Sequence, residues 1–249
     1  VGKVSGRTPD AAPLARCGQR RDGISMTTPA SGEVRSATID DQPDKVADPA
    51  ALSDRPAVAA GPFWNVAAVI SVVTLLVLNI IVSRTAIAPR TPWDEIAPLQ
   101  MARELAGQGP VSQMSGAGYY PGWGILLTPI WWFTQDPAEV YAATIGVVIA
   151  LAMITILPLM QIARLLGLTS AQAVTAAALT LSVPARTVNA DYTLAENLLA
   201  LLVACSALAA FRLWQRPSPL TLVLFILAVT AAYLTHTRAL AVVLAAAVW

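Results

Sequence analysis

Between Phe63 and Trp249 the chain is a series of apolar runs separated by short polar breaks, and this alternation limits what it can fold into. The run Phe63–Val82 has the ~20 residues that a bilayer crossing needs. Four more follow at Val140–Ala163, Ala171–Val183, Asn197–Phe211 and Leu220–Leu234, and a sixth reaches Trp249. Hydrophobic residues make up 56% of the chain and charged ones 12%, against roughly 25% charged in soluble domains. The expectation is an all-α, polytopic transmembrane helix bundle, which excludes a compact soluble domain.

The first part of the chain differs. Residues 1–60 are rich in Pro, Ala, Ser and Asp, lack apolar periodicity, and read as a disordered cytoplasmic arm. No apolar stretch there matches a secretory signal peptide, and Met26 is a second candidate for the start. Residues 61–249 form the membrane domain. The last run stops at Trp249, so the chain reads as truncated at its C-terminus, because a half-formed helix leaves backbone groups unpaired in lipid. Cys17 lies in the polar arm and Cys205 in an apolar run, so no disulfide framework is expected. Lysine and arginine balance the acids in the arm, and no basic tract points to nucleic acid.

The polar breaks carry the chemistry. Thr91 and Pro92 read as the N-cap and first position of an amphipathic helix bearing Ile96, Leu99 and Leu105 and ending near Gly107. A Gly/Ser linker leads to Tyr119 and Tyr120. The run Gly124–Phe133, flanked by Trp123, Trp131 and Trp132, is too short to cross and reads as interfacial or re-entrant. Asp136-Pro137-Ala138-Glu139 opens the next span as a capped helix start. With the arm inside, Arg164, Arg212 and Arg216 are cytoplasmic, while all seven acids after the arm fall on the outer face.

Two readings stay open for most of these residues. Thr91-Pro92-Trp93-Asp94 matches a capping box, and acids in a first helical turn gain roughly 0.3–1 kcal/mol from the helix dipole. Asp94 and Glu95 are equally well sited for catalysis at the membrane boundary. Thr193-Leu194-Ala195-Glu196 is a second capping-box match, and Glu196 stands where an ionisable group is costly and tends to be functional. Asp191 reads as a solvated turn residue. His236 and Arg238 are either a snorkelling interfacial pair or a phosphate clamp. Tyr120 and Trp123 belong to an aromatic cluster that serves as an interfacial belt or stacks on sugar rings. One histidine and no Cys/His spacing argue against a zinc site, and nothing demands another divalent metal.

The order of these features resembles the N-terminal half of the GT-C superfamily. These are polyprenyl-phosphate-sugar-dependent membrane glycosyltransferases, including protein O-mannosyltransferases and lipid-A aminoarabinose transferases. The resemblance rests on Trp93-Asp94-Glu95, Tyr119-Tyr120-Pro121-Gly122, Asp136-Pro137, Tyr192–Asn197 and Thr235-His236-Thr237-Arg238. It implies an inverting transferase in the cytoplasmic (plasma) membrane, N-terminus inside, working on the outer face. Asp94 would be the general base for the acceptor, with Glu95 beside it and Glu196 lining the same cavity. His236 and Arg238 would contact the donor phosphate, where such enzymes often carry a lysine; Tyr120 and Trp123 would contact substrate. The implied donor is a lipid-linked sugar, and the acceptor a glycan, lipid or protein. Alternatives are a transporter or lipid flippase, or an inactive fragment or accessory subunit of a cell-envelope complex.

Overall fold

The computed structural model describes residues 61–109 and 120–248. The expected arm at 1–60, the Gly/Ser linker with Tyr119, and Trp249 lie outside the described residues. Every regular element among those described is helical. In chain order these are α1 (Pro62–Ser83), α2 (Pro92–Leu105), α3 (Pro121–Leu127), α4 (Ile130–Phe133), α5 (Pro137–Ile154) and α6 (Ile156–Leu165). They continue with α7 (Ser170–Leu181), α8 (Pro184–Thr187), α9 (Glu196–Gln215), α10 (Pro219–Thr235) and α11 (Leu240–Val248). Short 3-10 turns at Val188–Asp191 and Thr237–Ala239 lead into α9 and α11.

Prolines and small polar caps set the starts. A proline stands at the first position of α1, α2, α3, α5, α8 and α10, where its missing N–H costs nothing. Asp136 caps α5 by accepting from the Ala138 N–H at 2.8 Å, and Ser218 caps α10 through the Thr221 N–H. Thr169 and Gln172 complete a reciprocal capping box on α7. Gly107 and Gly167 end α2 and α6 with φ of 77° and 93°, a region that glycine enters without strain. The chain bends between α5 and α6 at Thr155. Pro158 cannot supply the N–H that Ile154 would accept, and the Thr155 hydroxyl bonds back to Leu151 at 2.7 Å.

Three stretches are long and apolar enough to cross a membrane: Pro62–Ser83, the bent Pro137–Leu165, and Glu196–Gln215. The expected runs at Ala171–Val183 and Leu220–Leu234 appear as α7 and α10, both below the ~20 residues of a perpendicular crossing. Pro184, expected near the far end of the Ala171–Val183 run, is the first residue of α8. The segment Gly124–Phe133 divides into α3 and α4 at Thr128-Pro129, two pieces that are too short to cross. In α2, Leu99 and Ala102 face the core, whereas the expected core residue Leu105 is 52% exposed.

Core packing gathers where α2, α3, α5 and α9 meet, around Leu99, Trp123, Leu127, Trp131, Val148 and Leu198. A second apolar cluster of Leu75, Ile156, Ala177 and Leu181 joins α1, α6 and α7. Much of the outer surface of α1 and α10 is exposed Val, Ile and Leu, a surface suited to lipid. Ser71, Asn79, Thr144, Thr175 and Ser206 satisfy their side chains on carbonyls one turn back. Because successive long helices reverse direction, one end of the bundle collects α2, α3, α8 and the starts of α5 and α9. All seven acids of the described residues are at this end; Arg164, Arg212 and Arg216 are at the other.

Candidate functional site at the acidic end

Glu95 lies one helical position beyond the residue that a capping box would use, and that offset changes its role. Its side chain is fully buried. Oε1 accepts from the backbone N–H groups of Arg90 and Thr91, at 2.8 and 2.9 Å, and from the Thr91 hydroxyl at 3.1 Å. Oε2 accepts from the Tyr141 hydroxyl at 3.0 Å, the Thr193 N–H at 3.0 Å and the Thr193 hydroxyl at 3.2 Å. Burial pushes the Glu95 carboxyl up, but the Thr193, Thr91 and Arg90 amides and the Tyr141 hydroxyl together outweigh it. The group is held below its ordinary value of 4.5. One carboxylate thus ties the start of α2 to the start of α5 and to the strap that precedes α9. Trp123 reinforces that strap: it is 1% exposed and its indole N–H donates to the Thr193 carbonyl at 2.8 Å.

Asp191 is not the solvated turn residue that its position in the sequence implies. It is 6% exposed. It accepts from the Thr85 hydroxyl at 2.8 Å and pairs with the Arg90 guanidinium, which also donates to the Thr85 carbonyl at 3.1 Å. The chain leaving α1 and the turn before α9 are therefore fastened to each other beside the Glu95 network. Ala190 and Asp191 are buried because α1 packs against this turn, which sequence spacing does not reveal.

Asp94 contrasts with its neighbour. It sits in the first turn of α2, exposed, and its carboxylate has no hydrogen bond or ion pair among the described residues. The expected capping box around it does not form: Thr91 makes no side-chain cap bond, and its hydroxyl donates to Glu95. The second expected box fails for the same reason. Thr193 is spent on Glu95, and α9 starts at Glu196 with Ala195 as an N-cap lacking a side-chain bond.

Glu196 gathers a separate group of basic side chains. Its Oε1 is 3.3 Å from Arg238 Nη1 and 4.0 Å from His236 Nε2. Arg186 approaches from α8, donating through Nη1 to the Glu196 carbonyl at 3.3 Å. Burial pulls the Arg186 guanidinium down while the Glu196 charge supports it, and its Nη2 is buried without a hydrogen-bond partner among the described residues. His236 caps the 3-10 turn before α11, its Nδ1 accepting from the Arg238 N–H at 3.1 Å. Tyr120 stacks on the His236 ring, with centroids 6.3 Å apart and planes 14° apart, and meets Tyr233 edge-on. Gly122 permits this approach. A Cβ there would stand 2.8 Å from the Thr235 hydroxyl and 2.9 Å from the Leu234 carbonyl.

The structure therefore brings Glu196, His236, Arg238 and Tyr120 together, with Arg186 as a member that the sequence did not single out. Glu95 and Trp123 occupy the adjacent packed network, with their polar atoms taken by protein partners. Asp94 stands on the rim of that network. No group of three or more His, Cys, Asp or Glu side chains among the described residues is arranged to hold a metal ion. No family model matches the chain, and neither curated proteins nor solved structures include a match.

Proposed function

We propose that the protein is an integral membrane glycosyltransferase of GT-C type. It moves a sugar from a polyprenyl-phosphate carrier to a hydroxyl acceptor, with the acidic end of the bundle facing outward from the cytoplasmic membrane. The observation that carries this reading is Asp94: an exposed carboxylate, unpaired among the described residues, on a helix turn that the buried Glu95 fastens. A general base needs such a mount, since a fixed carboxylate meets the acceptor hydroxyl without first giving up a protein partner. The cations around Glu196 support the other half of the chemistry, because a departing phosphate calls for fixed positive donors.

In this reaction Asp94 removes the proton of the acceptor hydroxyl as its oxygen bonds to the anomeric carbon. The bond from that carbon to the phosphate oxygen breaks, the configuration inverts, and polyprenyl phosphate leaves. Arg238 and Arg186 balance the charge on the leaving group, His236 adds a hydrogen-bond donor, and Tyr120 borders the donor site by its stack on His236. Glu196 holds the cations in place, and Glu95 orients the turn that carries Asp94.

The test is transfer from radiolabelled polyprenyl-phosphate sugars by the purified chain in liposomes, beside Asp94→Asn. Loss of turnover by about 10²–10⁴-fold with unchanged thermal stability is expected. Wild-type turnover in the variant would remove Asp94 from the chemistry. A folded wild-type protein that neither binds nor transfers any donor would overturn the transferase reading in favour of transport or an accessory role.

A further inference from the structure

The end of the bundle opposite the candidate site carries a different kind of opening. A groove of about 430 Å³ runs between α9 and α10, within the ~300–1,000 Å³ range of small-molecule sites. Leu202, Cys205, Leu208, Leu224, Leu227 and Ala228 form its apolar length, and Arg212 stands at its mouth. From Leu202 to Arg212 is ten residues of one helix, or ~15 Å at 1.5 Å per residue. That is half of a hydrocarbon core of ~30 Å, the depth of one leaflet.

The mouth has the features of a headgroup level. Trp214 is 77% exposed two residues beyond Arg212, where an interfacial tryptophan belongs, and Arg216 follows it. The Arg212 guanidinium is exposed and makes no hydrogen bond or ion pair with any described residue. With Arg164 it forms an end of the bundle at which the described residues include no acid. An apolar channel one leaflet deep that opens beside an unpaired cation matches a single molecule combining both properties.

We infer that the α9–α10 groove holds an acyl chain of an anionic phospholipid, whose phosphate sits on Arg212. The fit is by charge and length together. A zwitterionic lipid would fill the groove but its own headgroup cation would compete with the arginine for the phosphate, and a soluble anion would engage the arginine without entering the groove. This site is independent of the chemistry at the acidic end.

Native mass spectrometry of the detergent-purified chain, titrated separately with palmitoyl-oleoyl phosphatidylglycerol and phosphatidylcholine, tests this. Phosphatidylglycerol should be retained about five-fold more tightly, the ratio expected from one cation near a lipid surface. Arg212→Gln should bring the two lipids level. Ala228→Phe, which fills the groove midway, should reduce binding of both; Ala228→Leu serves if the larger side chain impairs folding. Equal retention of the two lipids by the wild type, or binding unaffected by either substitution, would overturn the assignment. So would a dimer that separates on Ala228→Phe, since a second copy would then occupy the groove.

Discussion

Glu95 and Glu196 are both glutamates at the start of a helix, each a few residues after a threonine, yet they occupy opposite ends of a range of environments. Glu95 is fully buried and accepts six hydrogen bonds from three separate segments. Glu196 is 18% exposed in its side chain and holds its basic neighbours Arg238 and His236 loosely, at 3.3 and 4.0 Å. A buried carboxylate is tolerable only when fully satisfied, so Glu95 is committed to the fold. A boundary carboxylate whose partner Arg238 is largely exposed leaves that guanidinium open to a ligand anion. Catalytic candidates are therefore separated by how many of their lone pairs the protein has already taken.

Breaking the tighter of the two should have the larger consequence. Glu95→Ala leaves the Arg90, Thr91 and Thr193 amides without their acceptor and should destabilise the protein by about 3–5 kcal/mol, read as a lowered Tm in detergent. If Tm hardly changes, the network is not what fastens α2 to α5. The same carboxylate sets a pH dependence. Its folded pKa is depressed, so its stabilisation is complete above the ordinary value of 4.5 and is lost as pH falls below it. Wild-type Tm should thus fall with acidification in that range, and Glu95→Gln should flatten this component.

Gly122→Ala probes the packing that brings Tyr120 to His236. The new methyl meets a backbone carbonyl at 2.9 Å, which cannot swing aside, and a cost of about 1–3 kcal/mol is expected. Comparable loss of donor binding in that variant would sharpen the link between the Tyr120 stack and the Glu196 group; full donor binding would sever it. Asp191→Ala removes the buried partner of the half-exposed Arg90 and should cost about 1–2 kcal/mol by the same thermal measurement. Arg238→Ala should do least to stability, under about 1 kcal/mol, because that side chain is 69% exposed. Its effect belongs to the donor KM, and an unchanged KM would count against a phosphate role.

Much of the helical framework was legible because its signals are local. Phe63–Val82 became α1 within a residue at each end, and Asp136-Pro137 and Ser218-Pro219 start α5 and α10 as their cap chemistry requires. The two capping boxes were misread for a single reason. Thr91 and Thr193 each have a local partner in reach, but both are drawn to Glu95, and in Thr193's case from 98 residues away. No spacing rule encodes that competition. Asp191 was misread likewise, since its burial depends on Thr85 and Arg90 arriving from the end of α1.

Sequence by itself determined that the described part of the chain is helical, that its helices are apolar enough for lipid, and that the seven acids after the arm fall at one end of the bundle. Those properties follow from hydropathy, proline placement and the alternation of long helices. Only the tertiary structure decided which carboxylate is buried in the fold and which is exposed. Asp94 and Glu95 are adjacent in sequence and project about 100° apart on a helix, so one turns to solvent while the other enters the core. Which of them is buried depends on the donors that Tyr141 and Thr193 bring from distant helices, and those exist only once the bundle has closed.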